Sequence, residues 1–323
     1  MKNIYLNIYK PNLSNLKKAK NKLKYNDIIG MPTETVYGLA GNAYSNKSVK
    51  KIFKLKKRPH FNPLIIHYKN LYSLEKDVIL NDNFKRLYNY FCPGPITFVL
   101  KKKKKSKISK IATVGKNTVA VRIPKHKVAR KLLGIIKFPL AAPSANISSR
   151  LSPTSAFDVA EEFKNKLNFI INGGQCKIGI ESTIIDLTKK PTILRSGFVT
   201  ASNIQKVLKK KVQILKHHKK IKAPGQLKLH YYPGIPVEMN KKNVKKNQAL
   251  IGLGKKFKNT KNYFNLSKNS NLKEAANNLY KIMRKIKKNN FKSIGVMKIP
   301  NKGVGRAIND RLKKASNKWA KLL

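Results

Sequence analysis

Residues 28–68 read IIGMPTETVYGLAGNAYSNKSVKKIFKLKKRPHFNPLIIHY, and the order of elements in this stretch sets the fold class. The spacing predicts a strand, a Thr/Gly-rich loop, a basic amphipathic helix, a Lys/Arg turn and a second strand. Gly30, Pro32, Gly38 and Gly41 interrupt regular structure on either side of the hydroxyl-rich loop Thr33-Glu34-Thr35. A helix starts near Ser45 or Asn46, both good caps, and buries Val49, Ile52 and Phe53 at helical spacing. Pro59 disfavours helix in the residue before it, so the helix ends in Lys56-Lys57-Arg58. Leu64-Ile65-Ile66 is the next strand and delivers His67 at its far end. Hydroxyls, fixed cations and an imidazole are thereby expected to converge on one place: an anion site with a second pocket beside it.

Working outward, 323 residues make one large domain or two ordinary ones, and 41% apolar content argues for a globular chain. The balance of 72 basic against 13 acidic side chains gives a net charge of +59. Such a field attracts RNA, nucleotides and other polyanions. Lysine-rich compositional drift accounts for the same number, because Lys and Asn are abundant everywhere, including on ordinary helix surfaces. Cys92 and Cys176 are too few for a disulfide framework or a zinc site, which fits a reducing cytosol. The opening MKNIYLNIYK lacks the apolar core of a signal peptide, and no apolar run approaches the ~20 residues that cross a bilayer. The expectation is a cytoplasmic protein without membrane contact.

Leu13, Leu16, Ala19 and Leu23 mark a first helix, and Asp27 to Met31 the first strand. Phe84, Leu87, Tyr88 and Phe91 line another helix, followed by a strand from Ile96 to Leu100. The charge run from Lys101 to Lys110 reads as a solvated loop. Thr118 to Arg122 alternates as a strand with Thr118, Ala120 and Arg122 on one face. A short helix from His126, a strand at Leu140-Ala141-Ala142 and the hydroxyl-rich segment PSANISSRLSPTSA come next. A helix from Ser155, short strands at Phe169–Ile171, Ser182–Asp186 and Thr192–Leu194, and a helix from Ala201 complete the unit. The expected class is α/β (α+β) with an open, twisted mixed sheet, over residues 1–215. Residues 216–237 read as a linker, and 238–323 as a small Rossmann-like α/β domain.

No metal-ligand cluster has usable spacing, and no Walker A, dinucleotide fingerprint or nucleophile elbow is present. GLGKK at Gly252 is a weak echo of a phosphate loop. What remains is a set of cations and hydroxyls without an obvious general base, a profile suited to transfer at a phosphate. Lys56 and Arg58 also read as a solvated helix end, Ser144 and Asn146 as turn residues, and His67 as a structural histidine. Arg122 and Arg195, each flanked by apolar strand residues, need an anion or a carboxylate when buried, and the chain has few carboxylates to offer.

PTETVYGL, KKRPHFNPL, TVAVRIP, APSAN, SPT, GIESTIID and ILRSG occur here in the order seen in the YrdC-type threonylcarbamoyl-AMP synthases, which this sequence resembles. APGQLKLHYYP and GVGRAINDRLKKA resemble the two-domain, yeast-type form. The resemblance implies a YrdC-like sheet and the reaction of ATP, L-threonine and bicarbonate to threonylcarbamoyl-AMP, pyrophosphate and water. A partner transferase would then use the product to modify an adenosine beside the anticodon of certain tRNAs. The family's basic pair matches Lys56 and Arg58, and its Ser-x-Asn matches Ser144 and Asn146, implying a catalytic role. By the same resemblance the threonine pocket involves Thr35, His67, Arg122, Ala142 and Ser182. The ATP site involves Arg58, Asn62, Thr118, Ser144, Ser152, Arg195 and Tyr231.

In these roles Arg122 would grip the threonine carboxylate bidentately, while Lys56 and Arg58 would face the triphosphate. Magnesium is expected with ATP and no other cofactor; its protein ligands are unknown, Glu34 and Glu181 being weak candidates. The linker departs from the family at Gln226 and Gly234. The alternative is a non-catalytic module for tRNA or double-stranded RNA, which has no need to place Thr35, Arg122 and Ser182 together.

Overall fold

The computed structural model describes residues 5–215, 223–225, 227, 229–243, 245–255, 257 and 260–316. Much of the expected linker (216–222, 226 and 228), including the Gln226 departure, and the chain end (317–323) lie outside the described residues. In chain order the strands of the first unit are β1 (Ile8–Tyr9), β2 (Ile29–Met31), β3 (Gly38–Asn42), β4 (Ile65–His67), β5 (Ile96–Lys101) and β6 (Thr118–Arg122). They continue with β7 (Leu140–Ala141), β8 (Ile170–Ile171), β9 (Thr183–Asp186), β10 (Thr192–Arg195) and β11 (Gln213–Ile214). Its helices are α1 (Leu13–Lys24), α2 (Asn46–Lys56), α3 (Leu71–Glu75), α4 (Asp82–Phe91), α5 (Lys110–Thr113), α6 (Lys127–Ile135), α7 (Ala156–Phe163) and α8 (Ala201–Leu208). The strands make one 11-stranded mixed sheet in the order β1-β8-β2-β3-β7-β4-β6-β5-β9-β10-β11. The mixed α/β class is as the sequence implies.

Alternation along the strands sorts the apolar residues onto two faces. Leu39, Ile66, Phe98, Val121, Ile185 and Ile193 pack under α2, α4, α7 and α8. On the opposite face Ile29, Met31, Leu140 and Ile171 pack under α1 and α6. Farther along that same face Ile65, Val99, Ala120, Ile184 and Leu194 meet Ala223 of the linker. The stretch between these two covers is where side chains at the strand ends stay free of core packing.

Two expectations change. Gly38–Asn42, read as part of a loop, is strand β3, antiparallel to β2 and β7. Gly41 is there for packing: a Cβ would lie 2.4 Å from Ser48 Oγ of α2. The Lys101–Lys110 run is also more fixed than a solvated loop. Asp77 accepts hydrogen bonds from Ser106 (2.6 Å), Tyr44 (2.8 Å) and Tyr68 (2.9 Å), pinning the loop while most of its lysines stay exposed.

The second unit is a four-stranded parallel sheet, β12 (Val237–Met239), β13 (Gln248–Gly252), β14 (Tyr263–Asn265) and β15 (Ser293–Val296), in the order β12-β15-β13-β14. Helices α9 (Leu272–Lys288) and α10 (Gly305–Ala315) accompany it. Its core takes in Val36, Leu151, Ile178 and Ile180 of the first unit beside Leu279, Met283 and Leu312. No helix among the described residues is long and apolar enough to cross a membrane.

The units approach closely at Gly179, whose φ is +78° and whose added Cβ would lie 2.6 Å from the Asn277 backbone of α9. Its N–H donates to the carbonyl of Thr35 at 3.1 Å. Gly179→Ala is therefore expected to lower the unfolding free energy by about 1–3 kcal/mol, through overpacking and a left-handed backbone that alanine resists. Urea denaturation of the two proteins measures this; an unchanged midpoint would show that the units are not locked at this contact.

Candidate active site

The strand ends between the two covers converge. His67 and Arg122 are register partners at the ends of parallel β4 and β6. Ser182 stands just before β9, and its hydroxyl shares a 2.8 Å hydrogen bond with Thr97 of β5. Simple alternation turns Arg195 away from this face. A β-bulge at Leu194 resets the register so that Arg195 opposes Ile184 and joins the others. Arg195 then donates to the carbonyl of Ser182 (3.1 Å) and to its hydroxyl (3.1 Å).

Arg58 arrives by a different device. Helix α2 ends at Lys56 and Lys57 takes a left-handed conformation, φ 48°. Arg58 is turned inward, where Nε donates to Asn62 O (2.9 Å) and Nη2 to Asn62 Oδ1 (2.7 Å) and Pro63 O (2.8 Å). All these acceptors are neutral. The cavity that results measures about 40 Å³, room for a few water molecules. The linker residues Pro224, His230 and Tyr231 form part of its wall.

Of the residues singled out from sequence, Thr35, Arg58, His67, Arg122, Ala142, Ser144, Ser182, Arg195 and Tyr231 all line this cavity. Five do not. Lys56 is buried beneath the Ser144–Asn146 turn and donates from Nζ to the carbonyls of Ser144 and Asn146. Asn62 holds Arg58, Asn146 ties its own loop through Ile147 O and Arg150 O, and Ser152 donates to Glu181 at 2.6 Å. Thr118 lies at the far end of β6, about 13 Å along the strand from Arg122, in a groove with Lys101, Lys102, Lys103, Lys104 and Lys189. Of Lys56, Arg58 and Asn62, only Arg58 lines the cavity, with the other two behind it.

Carboxylates also correct the sequence reading. Arg122 does have one: Nη2 meets Glu34 Oε1 at 2.7 Å, while Nη1 donates to the Thr35 hydroxyl at 2.9 Å. Glu34 additionally accepts from the backbone of Lys125 and His126. Glu181 accepts from Ser152, Tyr280 and Arg311. Burial alone would raise its pKa, but Arg311, Arg195 and the Ser152 hydrogen bond outweigh burial and hold it at about 2. Both oxygens of each carboxylate are thus engaged by protein donors, and no group of three or more His, Cys, Asp or Glu among the described residues could hold a metal.

The balance around the cavity is positive. Lys56, Arg58, Arg122, Arg195 and Arg311 are buried against only Glu34 and Glu181. Burial, then the neighbouring Arg195, brings Arg58 down to about 9, and burial with Arg58 drives Lys56 well below its ordinary value. Burial is also the main reason Arg195 is lowered. His67 falls to about 3 through burial and Arg122, so its ring is neutral, and Nδ1 is buried with no hydrogen-bond partner. The Tyr231 hydroxyl is buried and unpartnered too.

Residues 21–197 match the family model described as telomere recombination, which groups the Sua5, YciO and YrdC proteins. Residues 199–317 match the threonylcarbamoyl-AMP synthase C-terminal domain. The chain belongs to the Sua5/YrdC family. A threonylcarbamoyl-AMP synthase of Pyrococcus abyssi is 37% identical over 92% of this chain and 93% of its own length. One from Bacillus subtilis is 33% identical over 91% and 90%. The crystal structure of P. abyssi Sua5 complexed with L-threonine superposes with a TM-score of 0.87 at 35% identity, covering 96% of both chains. Escherichia coli YciO shares the fold of the first unit, with a TM-score of 0.52 at 21% identity over 59% of this chain and 94% of its own.

Within this Sua5/YrdC site, residues that sequence reasoning missed are Tyr280, Arg311 and His230, which bring the second unit and linker to the cavity. Their sequence signals were the GVGRAINDRLKKA stretch, which carries Arg311, and APGQLKLHYYP, which carries His230. His67 and His230 each titrate near 3 in the folded protein against 6.5 when unfolded. The unfolded chain binds protons that the folded chain refuses, so their stability contribution is complete above 6.5 and is lost as pH falls towards 3. His67→Asn should flatten unfolding free energy against pH between 6 and 5 by about 1.4 kcal/mol per pH unit relative to wild type. Denaturant titrations at each pH measure it, and parallel curves would mean that His67 accepts a proton in the folded state.

Proposed function

We infer that this chain is a threonylcarbamoyl-AMP synthase, joining ATP, L-threonine and bicarbonate with release of pyrophosphate. The observation that carries the reading is the pair Arg58 and Arg195, two buried guanidiniums at a cavity whose direct partners are neutral oxygens. A buried cation without a carboxylate leaves an anion-shaped gap in the charge balance, and a triphosphate fills it. Family membership over nearly the whole chain supports the same conclusion.

The amino-acid half is supported by donor counting. Arg122 has five N–H groups and uses three, on Glu34, Thr35 and Gly94 O. Two remain, one on each terminal nitrogen, which is what a substrate carboxylate takes. His67, neutral with a free ring nitrogen, and the hydroxyls of Thr35 and Ser182 offer short polar contacts for threonine. The threonine amine and bicarbonate condense to a carbamate with loss of water. A carbamate oxygen then attacks the α-phosphorus; the new P–O bond forms as the α–β bridging bond breaks and pyrophosphate departs. Arg58 and Arg195 stabilise the charge that develops, and positioning supplies much of the remaining rate.

Magnesium enters on this reading as part of the substrate, bound to the phosphates, since Glu34 and Glu181 are both engaged elsewhere. The product passes to a threonylcarbamoyl transferase acting on tRNA, in the cytoplasm. The basic groove at Lys101–Lys104 and Lys189 is suited to RNA phosphates. A purely RNA-binding module has no use for Thr35, Arg122 and Ser182 around one cavity, which favours the enzyme.

In bicarbonate buffer the protein should release pyrophosphate from ATP only when threonine is present. Arg58→Met should lower that rate by a factor on the order of 100 or more. The variant should unfold at the same or a higher temperature, because it removes a buried charge with only neutral partners. Release without threonine dependence in the wild type would defeat the function, and full activity in Arg58→Met would defeat the site.

A further inference from the structure

Among the groups by which the second unit reaches the walls of the cavity, one guanidinium spans several of them. Arg311, in the middle of α10, is 1% exposed. Its Nε donates to Glu181 Oε2 at 3.1 Å, and its Nη1 donates to the carbonyl of Ser196. Glu181 immediately precedes Ser182, and Ser196 immediately follows Arg195. One planar fork therefore spans the two chain segments that present the Ser182 hydroxyl and the Arg195 guanidinium, which are themselves hydrogen-bonded to each other. The same guanidinium lies 5.4 Å from the centroid of the Tyr231 ring, a cation–π distance. One turn on, Lys314 donates to Gly225 O of the linker at 2.8 Å.

We propose that Arg311 is a positioning residue for the nucleotide: it fixes the Glu181–Ser182 and Arg195–Ser196 segments and the Tyr231 ring at the spacing in which Arg195 and Tyr231 meet ATP. This rests on the reading of the chain as a threonylcarbamoyl-AMP synthase. Joining the two units does not require it, because Val36, Leu151, Ile178 and Ile180 already sit in the core of the second unit. Nor does solvation favour it, since a buried arginine–carboxylate pair is no more stabilising than apolar side chains of the same volume. What the arginine adds is geometry: two acceptors from different segments and an aromatic face are held by one rigid plane. A lysine, a single point charge on a flexible stem, cannot hold all three.

The test is Arg311→Lys, assayed by threonine-dependent pyrophosphate release with each substrate varied in turn. The KM for ATP should rise about tenfold or more, and the KM for threonine by a smaller factor, because Ser182 is the one threonine contact in the segments that Arg311 holds. An arginine that only stabilises the fold would give a lower kcat, from a smaller active fraction, with both KM values unchanged; that result overturns the proposal. If Arg311→Lys does not accumulate as folded protein, the pair Glu181→Gln with Arg311→Met removes both charges and strands neither. The same rise in the KM for ATP is expected there, and wild-type KM values would overturn the proposal. Wild-type protein without threonine-dependent release would instead overturn the function on which it rests.

Discussion

Glu181 shares its two oxygens among Ser152, Tyr280 and Arg311, residues drawn from a loop of the first unit and from both helices of the second. A carboxylate buried to this depth is tolerable because both of its oxygens have donors and one of them is charged. The consequence for the site is direct, because the next residue is Ser182. Its backbone and hydroxyl hold Arg195, and Arg195 reaches the cavity through a bulge in β10. Removing Glu181's partners would leave a buried charge whose cost is about 3–5 kcal/mol, and the segment would move to water to escape it. The position of Arg195 at the cavity thus depends on an ion pair between units.

The first unit solves the opposite problem at Arg58. There the sequence places a guanidinium inside without a carboxylate, held only by Asn62 and Pro63. Lys56 is similar, resting on two carbonyls of the Ser144–Asn146 turn. Both are strained in protonation, and both become favourable once an anion is present. The site is preorganised for charge it does not itself contain, and the neutral His67 leaves the field of Arg122 undiluted.

Much of this was legible in residues 28–68. The helix stop before Pro59, the hydroxyl loop and the strand bearing His67 follow from local rules. The convergence of Thr35, Arg58 and His67 follows from where those elements end, while Arg122 of β6 joined the set through the family resemblance. Three kinds of information were not legible. Register was one: the bulge that aims Arg195 inward leaves no trace in an alternating pattern such as Thr192–Leu194. Pairing over long separations was another, since nothing local says that Glu181 meets Arg311 or that Glu34 meets Arg122. The third was the direction of side chains in short motifs. Lys56, Asn62, Asn146 and Ser152 belong to the site's supporting layer, and their type and spacing look the same as those of cavity-lining residues. Gly41 shows the reverse error, a glycine read as a turn that is needed for a helix to approach a strand.

Several of the chain's few acidic residues are used inward or at helix ends. Glu34, Asp77 and Glu181 are buried hydrogen-bond centres, Asp158 closes a capping box on α7, and Glu274 stands in the first turn of α9. The outer surface is left with dozens of lysines and little to answer them. Their repulsion must then be met by ions from solution, which at physiological strength act over about 8 Å. Small mobile anions are in that sense a component of the folded state, and the free energy that keeps this protein compact is partly a property of the salt around it.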